Sequence, residues 1–168
     1  MARGSAAGAR VVAIRPPRDG DSASYGASLL AVLRSEAIDI VCLAGYMRLM
    51  PNEVVMAYKE RMLNVHPALL PLFGGRGMFG EHVHSAVIAS GMKVSGCTVH
   101  FVDDSYDTGP IILQSVIPVL DDDTPATLAA RLLPVEHRTY VRAVRLVAEG
   151  RVRVVARRAI IADDVPGA

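Results

Sequence analysis

The stretch Arg61-Met62-Leu63-Asn64-Val65-His66-Pro67-Ala68-Leu69-Leu70-Pro71 sets two polar side chains, Asn64 and His66, into a short apolar run. In a β-strand, residues two apart share a face, so an amide and an imidazole stand side by side. Pro67 ends any ladder there, because it has no N–H to donate. The pair therefore sits at a strand's C-terminal end, where open α/β sheets place their ligand crevices. An amide donor beside an imidazole suits a site that must hold a developing oxyanion and move a proton. The same pair would also serve simply to close a strand and satisfy loop backbone groups. This stretch by itself leaves both readings open.

Upstream of it, residues 51–58 read as a short helix opened by Pro51. Residues 38–44 read as a buried, parallel-type strand, apolar on both faces after Asp39. Residues 24–35 carry Leu29, Leu30 and Leu33 at helical spacing. Residues 11–14 make a short strand, and 1–10 read as the ragged end of a helix. Downstream, residues 72–80 (LFGGRGMFG) form a glycine-rich loop able to bring backbone close to a ligand. A helix over 83–90 is closed by Gly91. Residues 97–102 alternate as a strand, 103–110 form an acidic turn, and 111–119 return as its hairpin partner. Asp121-Asp122-Asp123-Thr124-Pro125 is a helix start, with acids for the dipole, Thr as cap and Pro in the first turn. That helix is expected to run to about Leu133, where Pro134 breaks or kinks it before a second run to Gly150. Residues 152–155 read as an edge strand, and 158–168 as a loose tail. Strands alternating with helices to about residue 90, then a hairpin and a helix, predict an α/β fold with a mixed sheet.

Composition bounds the function. The 168 residues are 51% hydrophobic, enough for one domain's core. With 18 basic against 17 acidic residues, nothing calls for nucleic acid or an anionic membrane as partner. The longest apolar run, 40–44, is too short to span a bilayer, and the Ala/Arg/Gly-rich start lacks the apolar core of a secretory signal. Cys42 and Cys97 lie in apolar runs without metal-ligand spacing, and are read as reduced, buried residues of a cytoplasmic protein. His82 and His84 flank one position of a helix start beside Glu81, so they do not share a face. No third ligand stands at useful spacing, so no metal is expected.

Asn64-Val65-His66-Pro67-Ala68-Leu69-Leu70-Pro71 resembles the signature of the 10-formyltetrahydrofolate-dependent formyltransferases. Three further segments are similar to the glycinamide ribonucleotide branch of that family: Leu43-Ala44-Gly45-Tyr46-Met47-Arg48, then Met78-Phe79-Gly80-Glu81-His82-Val83-His84, then Gly96-Cys97-Thr98-Val99-His100-Phe101-Val102 with Tyr106-Asp107-Thr108-Gly109-Pro110-Ile111-Ile112-Leu113-Gln114. The resemblance implies a single domain over 1–157 with a Rossmann-like formyltransferase fold and a mixed, mostly parallel sheet. It implies formyl transfer from 10-formyltetrahydrofolate, as cosubstrate, to the amine of glycinamide ribonucleotide, by a monomer or homodimer. It makes Asn64, His66 and Asp107 the catalytic set, although the residues alone leave Asp107 as one of several acids on the turn. It lines a pterin slot with Tyr46, Met47, Arg48, Leu49 and Met50 on one wall and Val102, Asp103, Asp104 and Asp107 on the other. Gly80, His84 and Glu136 would meet the substrate, and His100 would support His66. A hydrolase of the formyl donor, or a folate-binding remnant without catalysis, is the alternative. Pro67-Ala68 and the 96–101 segment favour the ribonucleotide branch.

One feature departs from the family. Its members open with a strand and a glycine-rich loop whose backbone N–H groups hold the substrate phosphate. Here Gly4-Ser5-Ala6-Ala7-Gly8 follows no strand, so the first strand and that loop are expected to be missing.

Overall fold

The structure, a computed structural model, describes residues 8–16 and 22–162. The chain runs α1 (Ser22–Ser35), β1 (Val41–Leu43), α2 (Asn52–Ala57), β2 (Met62–His66), α3 (Glu81–Ala89), β3 (Val94–Phe101), β4 (Ile111–Pro118), α4 (Pro125–Ala148), β5 (Val152–Val155) and β6 (Arg158–Ile161). β1 to β4 form one sheet in sequence order. β1 pairs with β2 in parallel, whereas β2–β3 and β3–β4 are antiparallel. The sheet is mixed, as expected, with less parallel content among the described strands than the resemblance implied.

Alternation along β2 explains how the sheet is covered on both faces. Met62 packs with Met50, Val54, Val55 and Tyr58 under α1 and α2. Leu63 points the other way, into a cluster with Val99, Phe101, Ile112 and Ala143 of α4. A second cluster under α4 joins Leu128 and Leu132 to Val87, Cys97 and Ile117.

Several expectations are corrected. Residues 11–14 join no ladder, and Val11 and Val12 stay 38% and 47% exposed. β1 pairs over three residues only. With a described neighbour on one side alone, it leaves Cys42 exposed, whereas Cys97 is buried as expected. The ragged helix expected over 1–10 falls mostly outside the described residues. α4 does not break at Pro134 but runs through it for 24 residues. An interior proline costs about 3 kcal/mol. Leu128 and Leu132 before it and Ala143 and Leu146 after it lie on one buried stripe, and each buried leucine contributes roughly 1.5–3 kcal/mol. Continuity of that stripe outweighs the proline, which sits on the exposed face. At the helix start, the Thr124 hydroxyl accepts from the Thr127 N–H and the Thr127 hydroxyl from the Thr124 N–H. Finally, Arg158–Ile161, expected to be loose, pairs antiparallel with β5. Val152, Val154 and Ala159 of that hairpin pack on the sheet core, and Arg157 at its tip donates from Nη2 to the Thr108 carbonyl at 2.6 Å. Residues 163–168 lie outside the described part.

Candidate active site

β2 ends at His66, and the register of the sheet decides what surrounds it. Asn64 lies opposite His100 on β3, and His66 lies opposite Thr98. The cross-strand neighbours touch: Asn64 Nδ2 is 3.3 Å from His100 Nε2. His100 Nδ1 donates to the Phe101 carbonyl at 2.8 Å, which leaves Nε2 to accept from the Asn64 amide when the ring is neutral. A register shift at Val99/His100 re-aims the strand beside the site.

The segment leaving β2 is tied down by buried hydroxyl and amide groups. Thr98 Oγ1 donates to the Ala68 carbonyl at 2.7 Å and accepts from the Leu70 N–H at 3.0 Å. Gln114, opposite Thr98 on β4, donates to Thr98 Oγ1 at 2.9 Å and to the Leu70 carbonyl at 3.0 Å. This lattice fixes the direction in which the chain leaves His66.

Asp107 reaches the strand end from the 102–110 turn, with its backbone in the left-handed region at φ 57°. The turn is tight: a Cβ on Gly109 would stand 1.9 Å from the Phe101 carbonyl oxygen. The Asp107 carboxylate accepts from the Gly75 N–H at 2.9 Å. Its oxygens lie 3.5 Å from His66 Nδ1 and 3.6 Å from His100 Nε2. His66 donates from Nε2 to the Phe73 carbonyl at 2.8 Å.

Electrostatics follow from burial and these partners. Burial lowers the His66 pKa below its ordinary value; Asp107 and the Phe73 bond pull it back up without reversing the shift. Asp107 thus raises this pKa, by less than burial lowers it. Burial pushes the Asp107 carboxyl up, but the nearby His100 ring, the Gly75 N–H bond and the His66 ring outweigh it and hold it below the usual carboxylate range. His84 is lowered by burial and by His66, and its Nδ1 is buried without a hydrogen-bond partner. Burial raises the Glu136 carboxyl.

A cavity of about 640 Å³ opens over the strand end, and Asn64, His66, Asp107, Gly80, His84 and Glu136 all line it. The residues read from the sequence as catalytic and as substrate-facing thus converge on one space. Tyr46 and Met47 also line it, and a narrow slot of about 50 Å³ adjoins, between Tyr46, Arg48, Leu49 and Met50 on one side and Val102, Tyr106 and Asp107 on the other. Asp103 and Asp104 do not line it. Asp103 accepts from the Thr108 hydroxyl at 2.7 Å and Asp104 from the Ser105 hydroxyl at 3.1 Å, so both carboxylates hold the turn instead. His82 turns toward Phe79, edge to face at 5.9 Å, away from any shared ligand with His84. Sequence reasoning missed one wall: Ala129, Ala130 and Leu133 of α4 close the cavity. Two alanines and an exposed leucine carry no chemical signature, so only their helical spacing with Glu136 could have disclosed them.

With this geometry in place, comparisons with known proteins are informative. Residues 6–144 match the formyl transferase family. The chloroplastic phosphoribosylglycinamide formyltransferase of Arabidopsis thaliana is 50% identical over 139 residues, covering 83% of this chain. The chain spans about half that relative's length, 47%. Glycinamide ribonucleotide transformylase 1 from Symbiobacterium toebii is 43% identical, with a TM-score of 0.83 over 96% of this chain and 74% of that one. A formyltetrahydrofolate deformylase from Pseudomonas syringae pv. tomato is 25% identical, with a TM-score of 0.86 over 96% of this chain and 52% of that one. The chain belongs to the formyl transferase family.

Proposed function

We propose that the chain transfers a formyl group from 10-formyltetrahydrofolate to the amine of glycinamide ribonucleotide, a step of purine biosynthesis. The observation that carries this reading is the convergence of Asn64, His66 and Asp107 on one cavity that also takes in Glu136 and His84. Amine attack on a formyl carbon requires an oxyanion to be held, a proton to leave the attacking nitrogen, and a proton to reach the departing one. Asn64 supplies an amide N–H for the oxyanion. His66, kept neutral by burial, accepts the amine's proton. The resulting imidazolium is held between the Phe73 carbonyl and the Asp107 carboxylate, then returns the proton to the leaving nitrogen. Asp107 stays ionised because its hydrogen-bond partners favour the charged form.

The slot walled by Tyr46, Arg48, Leu49 and Met50 on one side and Val102, Tyr106 and Asp107 on the other suits a flat heterocycle, with flexible Met and Leu side chains. At about 50 Å³ it is narrower than a bicyclic ring, so the walls part on binding. Leu49, 46% exposed, is free to do so. No group of three or more His, Cys, Asp or Glu side chains among the described residues is placed to hold a metal ion. Among the described residues no helix is long and apolar enough to cross a membrane, and free cysteines suit a reducing compartment, which we take to be the cytoplasm.

The test is transfer measured with both substrates, alongside release of formate when the ribonucleotide is withheld. Ribonucleotide-dependent formylation is expected. Formate release at the same rate with and without the ribonucleotide would replace this reading with a hydrolase.

A further inference from the structure

Pro134 sits inside α4 without ending it. Proline has no N–H, so the Ala130 carbonyl, one turn earlier, lacks the partner that every interior helix carbonyl otherwise has. Position 130 is not arbitrary. Ala129, Ala130, Leu133 and Glu136 form the α4 wall of the catalytic cavity. Ala130 and Pro134 are both exposed, on the face away from the buried Leu128–Leu132 stripe. Pro134 thus leaves a helix acceptor without its usual partner on a segment of α4 that lines the ligand space.

We propose that the Ala130 carbonyl, freed by Pro134, is a substrate-binding acceptor. It takes an N–H or O–H of the amine substrate next to Glu136. Ala130 is exposed, so water can satisfy that acceptor at little cost until a ligand displaces it. The amine substrate is rich in suitable donors, namely its ammonium, its amide and its ribose hydroxyls. Its neighbours Ala129 and Leu133 offer no competing side-chain acceptor. Pro134 therefore serves as a specificity-determining residue, acting through the backbone rather than by contact.

This rests on the reading of the cavity as the glycinamide ribonucleotide site. The experiment is calorimetric binding of glycinamide ribonucleotide, and separately of a reduced folate, to the parent, Pro134→Ala and Pro134→Leu. Both substitutions return an N–H to position 134, and a slowly exchanging amide there reports that the helix bond has formed. Both should raise the melting temperature. Both should weaken ribonucleotide binding about fivefold, one hydrogen bond's worth at ~1 kcal/mol, with folate binding unchanged. Unchanged ribonucleotide affinity in both variants would overturn the inference and leave the proposed function standing. Loss in only one would assign the effect to side-chain packing and also overturn it. A parent that binds no ribonucleotide would sink the proposed function and this inference with it.

Discussion

Asn64 and His66 share one strand face, and the role proposed for each has a separable consequence. Asn64→Ala removes one oxyanion donor and should lower kcat by about 10²–10³. His66→Ala removes the proton carrier and should lower it by about 10²–10⁴, with folate affinity little changed. Steady-state transfer assays on the two variants check both, and parent-like turnover in either refutes its role. The pairing with Asp107 has its own signature. Asp107 raises the His66 pKa against the lowering effect of burial. In Asp107→Asn the NMR titration midpoint of His66 should therefore move further down, and an unmoved midpoint would mean the two groups are not coupled. His66 must be neutral to accept a proton, so the acid limb of kcat/KM attributable to it should lie below its ordinary pKa of about 6.5. Much of this was legible in the chain. The i, i+2 spacing and the following proline put Asn64 and His66 on one face at a strand end. The sign of the His66 shift was not, because burial of a ring depends on loops such as 72–80 that close over it from elsewhere.

At the scale of elements, the antiparallel pairing of β2, β3 and β4 builds the site, since it stacks Asn64 on His100 and Thr98 on Gln114. Thr98 is the joint of this arrangement, buried and bonded to the segment that leaves His66. Thr98→Val keeps the shape but strands the Leu70 N–H and Ala68 carbonyl. It should cost roughly 2 kcal/mol or more, read as a lower urea midpoint with an unchanged slope. A loss under about 0.5 kcal/mol, the size expected of a bland surface change, would show that other groups satisfy them. The strand and hairpin positions were readable from alternation and turn residues. α4's continuity through Pro134 was not, because local proline chemistry argues for a break. What overrides it is the stripe from Leu128 to Leu146, a tertiary contact visible only once the sheet beneath it exists. The α4 wall of the cavity was missed for a related reason: alanines become ligand-facing only through where their helix is laid.

For the whole molecule, the titratable groups around the cavity tie stability to pH through protons. His66 and His84 are both buried with lowered pKa values. Between those values and about 6.5 the unfolded chain binds more protons than the folded one, so stability there rises with pH and falls on acidification. Glu136 acts in the opposite sense, since its raised carboxyl favours the fold when protonated and loses that advantage as pH rises through its folded value. Asp107, held low, contributes stability above the ordinary carboxylate range that disappears only in stronger acid. The net expectation is a melting temperature that drops from about pH 7.5 to about pH 5.5, where the two histidines dominate, before Glu136 offsets part of the loss lower down. His84→Gln, which cannot titrate, should flatten that slope while leaving Asn64, His66 and Asp107 in place. A parent melting temperature that is flat across the interval, or a slope unaltered by His84→Gln, would show that His84 takes up its proton in the folded protein as readily as in water. The cavity around it would then be wetter than its packing implies.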